Sequence, residues 1–165
     1  MRSHPSRRGS AMLEFILCGI PMMFVWISII QMSIGMWRYH TLQYAVKAAG
    51  AFIAHRGSSW VNAGHAQPTL ADAANVLAGS AIGIPPSAVS VTWQSGSTSI
   101  TCQLNTCQTD TTTWPPIATS YIGSDFTIHA DYVFNNAIAF YSPGGTPMQF
   151  GAPHLPGYTH QFILF

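Results

Sequence analysis

The residues that could carry chemistry begin with a glycine placed shortly before a glutamate near the start of the chain. Gly9 and Glu14 are separated by four residues, and an aromatic residue, Phe15, follows the glutamate. Gly9 has no Cβ, so its peptide can lie extended in a protease cleft where a side chain would clash. Glu14 opens an apolar run, where a carboxylate without a partner is expensive to bury. A positively charged group of a neighbouring chain could compensate this carboxylate. The simpler interpretation of Glu14 alone is a place in the lipid headgroup layer.

The histidines do not indicate a metal site. The chain has seven of them, and none stands in an HxxxH or HxH pair. His129 and Asp131 flank Ala130 on one face of a predicted strand, and we interpret them as part of an exposed polar face. No nucleophile elbow, phosphate loop or paired-carboxylate motif occurs. The sequence therefore predicts a protein that is not an enzyme, with no metal and no cofactor.

The three cysteines lie in two environments. Cys18 is inside the apolar run, whereas Cys102 and Cys107 lie in a segment rich in Ser, Thr and Gln. No neighbouring His or further Cys completes a zinc site around that pair. In an oxidising, exported compartment we expect a disulfide between Cys102 and Cys107, with two free thiols as the alternative.

Charge is scarce and unevenly distributed. Only 7% of the 165 residues are charged, against roughly 25% in soluble globular domains. Half of the six basic residues precede residue 10, in a basic leader at 1–9, and all five acidic residues follow it. We expect no nucleic-acid partner, because the cations are few and processing would remove three of them.

An uninterrupted apolar segment follows Glu14. Residues 15–37 contain no formal charge, and as a helix they would extend about 34 Å, enough to cross a hydrocarbon core of roughly 30 Å. A secretory signal core is usually shorter and is followed closely by a cleavage site, whereas this run is followed by Arg38. We therefore predict a retained transmembrane helix. The arginines of the leader outnumber Arg38, so the N-terminus is expected in the cytoplasm and the C-terminus outside it.

Polar and small residues mark one face of this span. Ser28, Gln31 and Gly35 recur at i, i+3 and i+7. Such residues commonly mark helix–helix contacts in bilayers. We predict that this face binds another subunit or a platform protein. A tolerated glutamine near the outer interface is the alternative.

The helix is expected to continue beyond the membrane as an amphipathic extension over residues 38–56. Its apolar positions follow a helical period, whereas Gln43 and Lys47 are predicted to point away from it. Gly57 supplies the stop. A separate core helix of the exported domain is the alternative. The apolar stripe comprises Leu42, Ala45, Val46, Ala49, Phe52 and Ile53.

Residues 58–165 are expected to form a small exported domain of mixed α/β type with mostly antiparallel strands, which gives an α+β fold overall. Thr69 and Asp72 form a capping box that opens a helix, and Gly79 is its predicted stop. Alternation predicts strands at 89–93 and 126–134. The remaining expectations are a hairpin partner at 100–104, a loop at 109–116, a turn at Pro143-Gly144-Gly145 and a closing strand at 161–165.

The segment RRGSAMLEFILCGIPMMFVW (7–26), with Pro21 seven residues after Glu14, resembles the TadE-like minor pilins of tight-adherence (Flp) pilus systems. The continuation LQYAVKAAGAFIAHRG (42–57) is similar to the alanine-rich helix of that family. The remainder matches only in general form, as a small pilin-like exported region. Pseudopilins of type II secretion and type IV pilins usually have Phe or Met after the cleaved glycine. Ser10 departs from that pattern and favours the tight-adherence family.

The resemblance implies cleavage after Gly9 by a prepilin peptidase, which makes Ser10 the mature N-terminus. It implies subunit contacts through Glu14 and Phe15, and a role as a minor pilin or pseudopilin in pilus assembly. The implied partners are other pilins or pseudopilins, the inner-membrane assembly platform and membrane lipid. The implied location is a single pass through a bacterial inner membrane with a periplasmic domain, before incorporation into a pilus. The alternative is a signal-anchored exported binding module that is neither processed nor polymerised.

Overall fold

The computed structural model describes residues 8–134, 140–141, 147–148 and 153–164, and side chains within 12–134 and 153–164. The predicted Pro143-Gly144-Gly145 turn and the leader before Arg8 lie outside the described residues. Among these residues, the helices are α1 (Arg8–Ala54), α2 (Ser58–Asn62), α3 (Leu70–Ser80) and α4 (Leu104–Cys107). The strands are β1 (Val89–Ser95), β2 (Thr98–Gln103), β3 (Asp125–Val133), β4 (Phe140–Tyr141), β5 (Pro147–Met148) and β6 (His154–Phe162). Short 3₁₀ turns cover Pro86–Ala88 and Ile117–Thr119.

The α+β expectation is confirmed: a long apolar helix precedes a small antiparallel sheet. Its four strands lie in the order β2-β1-β3-β6, and a separate pair joins β4 to β5. The register places Trp93 of β1 between Ile100 of β2 and Ile128 of β3. On the far side of β3, Ala130 lies opposite Gly157 of β6.

The chain divides into two compact units, Met1–Met36 and Trp37–Phe165. In the second unit, the predicted stripe of α1 forms part of the hydrophobic core, with Leu42, Val46 and Ile53 fully buried. The sheet contributes the side chains that alternate inward, including Trp93 and Phe126. The periodicity of residues 42–53 therefore predicted the buried face correctly.

The capping box is confirmed. The backbone N–H of Thr69 donates to the Asp72 carboxylate at 2.9 Å, and the Asp72 N–H donates to the Thr69 hydroxyl at 3.2 Å. The hydrogen bond from the Thr69 backbone, aided by the Thr69 hydroxyl, lowers the pKa of Asp72 below its ordinary value. The first four N–H groups of a helix have no acceptor within the helix, and a capping box supplies acceptors for two of them.

Several boundaries differ from the predicted ones for local reasons. Helix α1 ends at Ala54, before Gly57, which instead precedes α2. Gly79 lies inside α3 and does not stop it, because the Ala81 N–H still donates to the Leu77 carbonyl at 3.0 Å. The hairpin partner of β1 ends at Gln103, since the buried Leu104 begins α4.

The last strand was only partly predicted. Strand β6 begins at His154 and ends at Phe162, so it is longer and earlier than the predicted 161–165. Pro156 and Gly157 interrupt its apolar alternation. Proline is tolerated there because β6 is an edge strand, and glycine is required by the close approach of α1, as its contacts below show.

Candidate functional site

The first part of α1 is the strongest candidate for function, because its apolar side chains are exposed all round. Within the described residues, Met12–Ala54 is one helix long and apolar enough to cross a membrane. Soluble helices with this composition are normally buried, whereas here every large apolar side chain from Met12 to Met36 faces outward. Length, composition and exposure together suggest single-pass membrane anchoring.

The predicted processing residues lie at the start of this helix. Gly9 and Ser10 belong to the first turn of α1, which begins at Arg8. An extended conformation in a protease cleft therefore requires this first turn to unwind. The unwinding is inexpensive at a helix end, where the first N–H groups have no intrahelical acceptor.

Glu14 stands one turn after Ser10 in an apolar environment. Its side chain is exposed, and it makes no hydrogen bond or ion pair with another described residue. Phe15 is also exposed and leaves the carboxylate unshielded. In a bilayer this carboxylate would need a charged or hydrogen-bonding partner other than the described residues of the chain.

The polar residues on the predicted face of the span differ in whether they form hydrogen bonds within the helix. The Ser28 hydroxyl donates to the Phe24 carbonyl at 2.8 Å, one turn earlier in the same helix. The Ser33 hydroxyl does the same with the Ile29 carbonyl at 2.8 Å. Gln31, by contrast, makes no hydrogen bond to another described residue and lies on the surface near Gly35. Gln31 therefore has the free hydrogen-bonding capacity on this face.

The second unit contains the cysteine pair. Cys102 at the end of β2 and Cys107 in α4 are joined by a disulfide, with Cα atoms 5.8 Å apart. The helical turn of α4, begun by the buried Leu104, brings the two residues together. Cys18 is a free, exposed thiol in the apolar helix.

The polar face of β3 and β6 carries two Asp–His pairs. Asp131 lies 2.7 Å from His154, and Asp125 lies 3.3 Å from His160, each measured from carboxylate oxygen to ring nitrogen. His129 faces Tyr158 across the sheet instead of bonding to Asp131. The exposed polar face is as predicted, but its partners come from β6, which sequence spacing alone could not reveal. Among the described residues, no group of three or more His, Cys, Asp or Glu side chains could hold a metal ion.

Arg38 has a role that its position after the span did not suggest. Its Nη1 donates to the Tyr132 hydroxyl at 2.6 Å, and its guanidinium lies 5.3 Å from the centre of the Phe134 ring. Both aromatic residues are buried at the end of β3. The arginine thus ties α1 to the sheet within the second unit.

Gln43 corrects another expectation, because it does not point away from the domain. Its amide nitrogen donates to the Pro156 carbonyl at 3.0 Å, and its amide oxygen accepts from the Tyr158 N–H at 3.5 Å. These are backbone groups of the free edge of β6. The glutamine therefore stands where a neighbouring strand would otherwise bond.

These features define a class of protein: a small α+β domain preceded by one exposed apolar helix suited to membrane anchoring. Residues 9–50 match the family model described as TadE-like protein. The match confirms the resemblance and is consistent with a TadE-like protein of the tight adherence pilus system. It supports an association with that pilus machinery. The matched family is one of structural or associated pilus proteins and is not known as enzymatic. No curated protein and no solved structure matches the chain.

Proposed function

We propose that this chain is a minor pilin or pseudopilin-like structural subunit of a tight-adherence pilus. The observation that carries the proposal is the TadE-like match at 9–50, which contains the glycine, the glutamate and the exposed apolar helix. In the proposed function, residues 15–37 hold the subunit in the inner membrane with its N-terminus in the cytoplasm. The domain after the span is periplasmic until the subunit enters, or primes, the pilus.

Processing begins at the leader. Arg7 and Arg8 hold this segment at the anionic cytoplasmic face, where a prepilin peptidase meets the bond between Gly9 and Ser10. Cleavage removes three cations and frees the α-amino group of Ser10. The mature terminus is then a positive charge followed directly by the apolar helix.

The charge of Glu14 supplies a register for assembly. Ser10 and Glu14 are four residues apart in α1, about 6 Å along the helix axis. A neighbouring helix shifted by about one turn places its own α-amino group level with this carboxylate. Because an unpaired carboxylate is costly in lipid, that shift is favoured over others. Gln31, whose amide is not used within the described chain, gives a second polar contact deeper in the span.

The test is the N-terminal sequence of the full chain coexpressed with its prepilin peptidase. The proposal requires a mature protein that begins SAMLEF, and a Gly9→Val variant that keeps Met1. The matched control is Gly19→Val in the same helix, where the side-chain atoms nearest to an added Cβ belong to the Phe15 ring, 3.5 Å or more away. Gly19→Val should be cleaved normally. An intact Met1 terminus in the wild type, with no effect of Gly9→Val on size or piliation, would favour the unprocessed exported binding module instead.

A second variant separates processing from assembly. Glu14→Leu leaves the glycine and the apolar helix in place, so cleavage should proceed. Co-purification with other pilin subunits should fall, because the α-amino group of a neighbour has lost its partner. Normal co-purification of cleaved Glu14→Leu would refute the pairing.

A further inference from the structure

Exposed apolar residues lie near Trp37, the first residue of the second unit. The Trp37 ring rests on the backbone of Gly83, so closely that a Cβ on Gly83 would lie 2.9 Å from two ring carbons. Gly83 also has a φ of +79°, a conformation that side-chain-bearing residues rarely adopt. Trp37 is 52% exposed and the adjacent Ile82 is 68% exposed. Ile82 is the chain neighbour of Gly83, so both exposed apolar residues meet the same short stretch of backbone.

The loop that presents Ile82 is held on both sides. Ala81 and Ile84 are buried in the core, and the Ile84 N–H donates to the Ala81 carbonyl at 3.1 Å. Pro85 and Pro86 follow, which restricts the backbone further. Ile82 is consequently fixed outside the core. Single exposed apolar residues are ordinary, but this one is the chain neighbour of the glycine on which the exposed Trp37 ring rests.

The chain itself indicates what covers this surface. Trp37 ends the charge-free run 15–37, and the next aromatic, Tyr39, is 37% exposed. Trp and Tyr are enriched where a membrane span meets water. The loop 80–86 (SAIGIPP) has no charged residue, which suits the boundary between headgroups and acyl chains. The surface is thus continuous along the chain with the segment that anchors it.

We propose that Trp37, Ile82 and the Gly83 backbone form a second membrane contact, in which the loop 80–86 lies in the interfacial layer of the bilayer. This proposal depends on the membrane anchoring of the proposed function. The partner is the lipid surface itself, recognised by apolar and aromatic side chains without a charged group.

The experiment measures the depth of a fluorescent label in the full chain. The Cys18→Ser protein, with its disulfide left oxidised, carries a nitrobenzoxadiazole label at Ile82→Cys. It is placed, one chain per disc, in nanodiscs of phosphatidylcholine and phosphatidylglycerol, both faces of which meet the solvent. The matched control is Ile122→Cys, 61% exposed near the other end of α1 in this unit, where the Leu164 N–H donates to the Ala54 carbonyl. Val25→Cys, inside the span, reports on anchoring.

Lipids with a nitroxide near the headgroup should quench the Ile82 label strongly and the Ile122 label weakly. Aqueous iodide should give the opposite order. Equal access of iodide to both labels, or an Ile82 label shielded from iodide and nitroxide alike, would overturn the inference; the second result would indicate a protein contact. Quenching of the Val25 label by deep nitroxide lipids shows that anchoring holds, so failure at Ile82 is distinguishable from failure of the proposed function.

Discussion

Gly157 of β6 gives the sharpest test of how the second unit is held together. A Cβ at this position would lie 3.0 Å from Cγ2 of Val46 and 3.1 Å from Cγ of Leu42, both fully buried in α1. Gly157 does not adopt a positive φ, so the backbone itself accepts alanine. Any loss of stability in Gly157→Ala therefore comes from overlap with the helix.

The magnitude follows from the packing. Alanine is normally favoured over glycine within a strand, whereas one extra methyl group in a tight core costs about 1–3 kcal/mol. We expect Gly157→Ala to lower the free energy of unfolding by about 2 kcal/mol. That loss corresponds to a midpoint lower by roughly 6–10 °C for a domain of this size.

The assay is thermal unfolding of the full chain in detergent micelles, followed by near-ultraviolet circular dichroism of the buried Trp93 and Trp114. Val46→Ala alone should cost about 2 kcal/mol through lost burial and a cavity. The double variant with Gly157→Ala should be less destabilised than the sum by about 1 kcal/mol, because the nearest methyl group has been removed. Gly79→Ala is the control, since an added Cβ there meets nothing within 4 Å.

Two results would refute the reasoning. Gly157→Ala that is as stable as the wild type would show that α1 does not approach β6 as closely as the structure indicates. Strict additivity of Gly157→Ala and Val46→Ala would show that the two sites do not touch. The Gly79→Ala control should gain up to about 1 kcal/mol, as expected for alanine in a helix interior.

Three further predictions concern the cap, the disulfide and the span. Thr69→Ala should cost about 1 kcal/mol in chemical denaturation. The folded-state pKa of Asp72 is lowered from its ordinary 3.8. The Asp72 carboxylate therefore adds fully to the free energy of unfolding above that pH, and this stabilisation is lost as the pH falls through the folded-state pKa. Asp72→Asn should remove this loss of stability in acid, and an unchanged dependence of stability on pH would contradict the prediction. Reduction of the disulfide between β2 and α4 should lower the unfolding free energy by about 2 kcal/mol, whereas a midpoint unaffected by reductant would show that the short loop is held by other contacts. Gln31→Leu should weaken crosslinking and co-purification with other pilus components, whereas Ser28→Ala, whose hydroxyl bonds within its own helix, should not; equal behaviour of the two variants would remove the glutamine contact.

Local periodicity predicted the parts of the fold in which each residue's environment depends on near neighbours. The stripe beginning at Leu42 and the alternating strand β3 were predictable because helices and strands have fixed periods. The capping box of Thr69 was predictable because its two residues stand three positions apart. The apolar span was also predictable, because its length and lack of charge can be read from the sequence without tertiary information.

Residues whose role depends on distant partners were not predictable. Gln43 looked like a surface residue because nothing near it in sequence reveals that β6 would present an unpaired edge. The Asp131–His154 pair required the register between β3 and β6, which the sequence does not encode locally. The position of Arg38 indicates only a charge that follows the span, whereas its guanidinium contacts Tyr132 of β3 and Phe134 directly after it.

Two glycines, Gly50 on α1 and Gly157 on β6, lie where the helix and the strand pack most closely. On the helix, a Cβ at Gly50 would meet the Gln161 side chain at 2.9 Å and Thr159 at 3.1 Å. On the strand, Gly157 leaves room for Leu42 and Val46. Each backbone therefore approaches the other where a side chain is missing. A side chain at Gly157 would have to displace buried Val46 or Leu42, whereas one at Gly50 would first meet the flexible end of Gln161. The TadE-like match ends at Gly50, so it includes the helix side of this contact and leaves out the strand side.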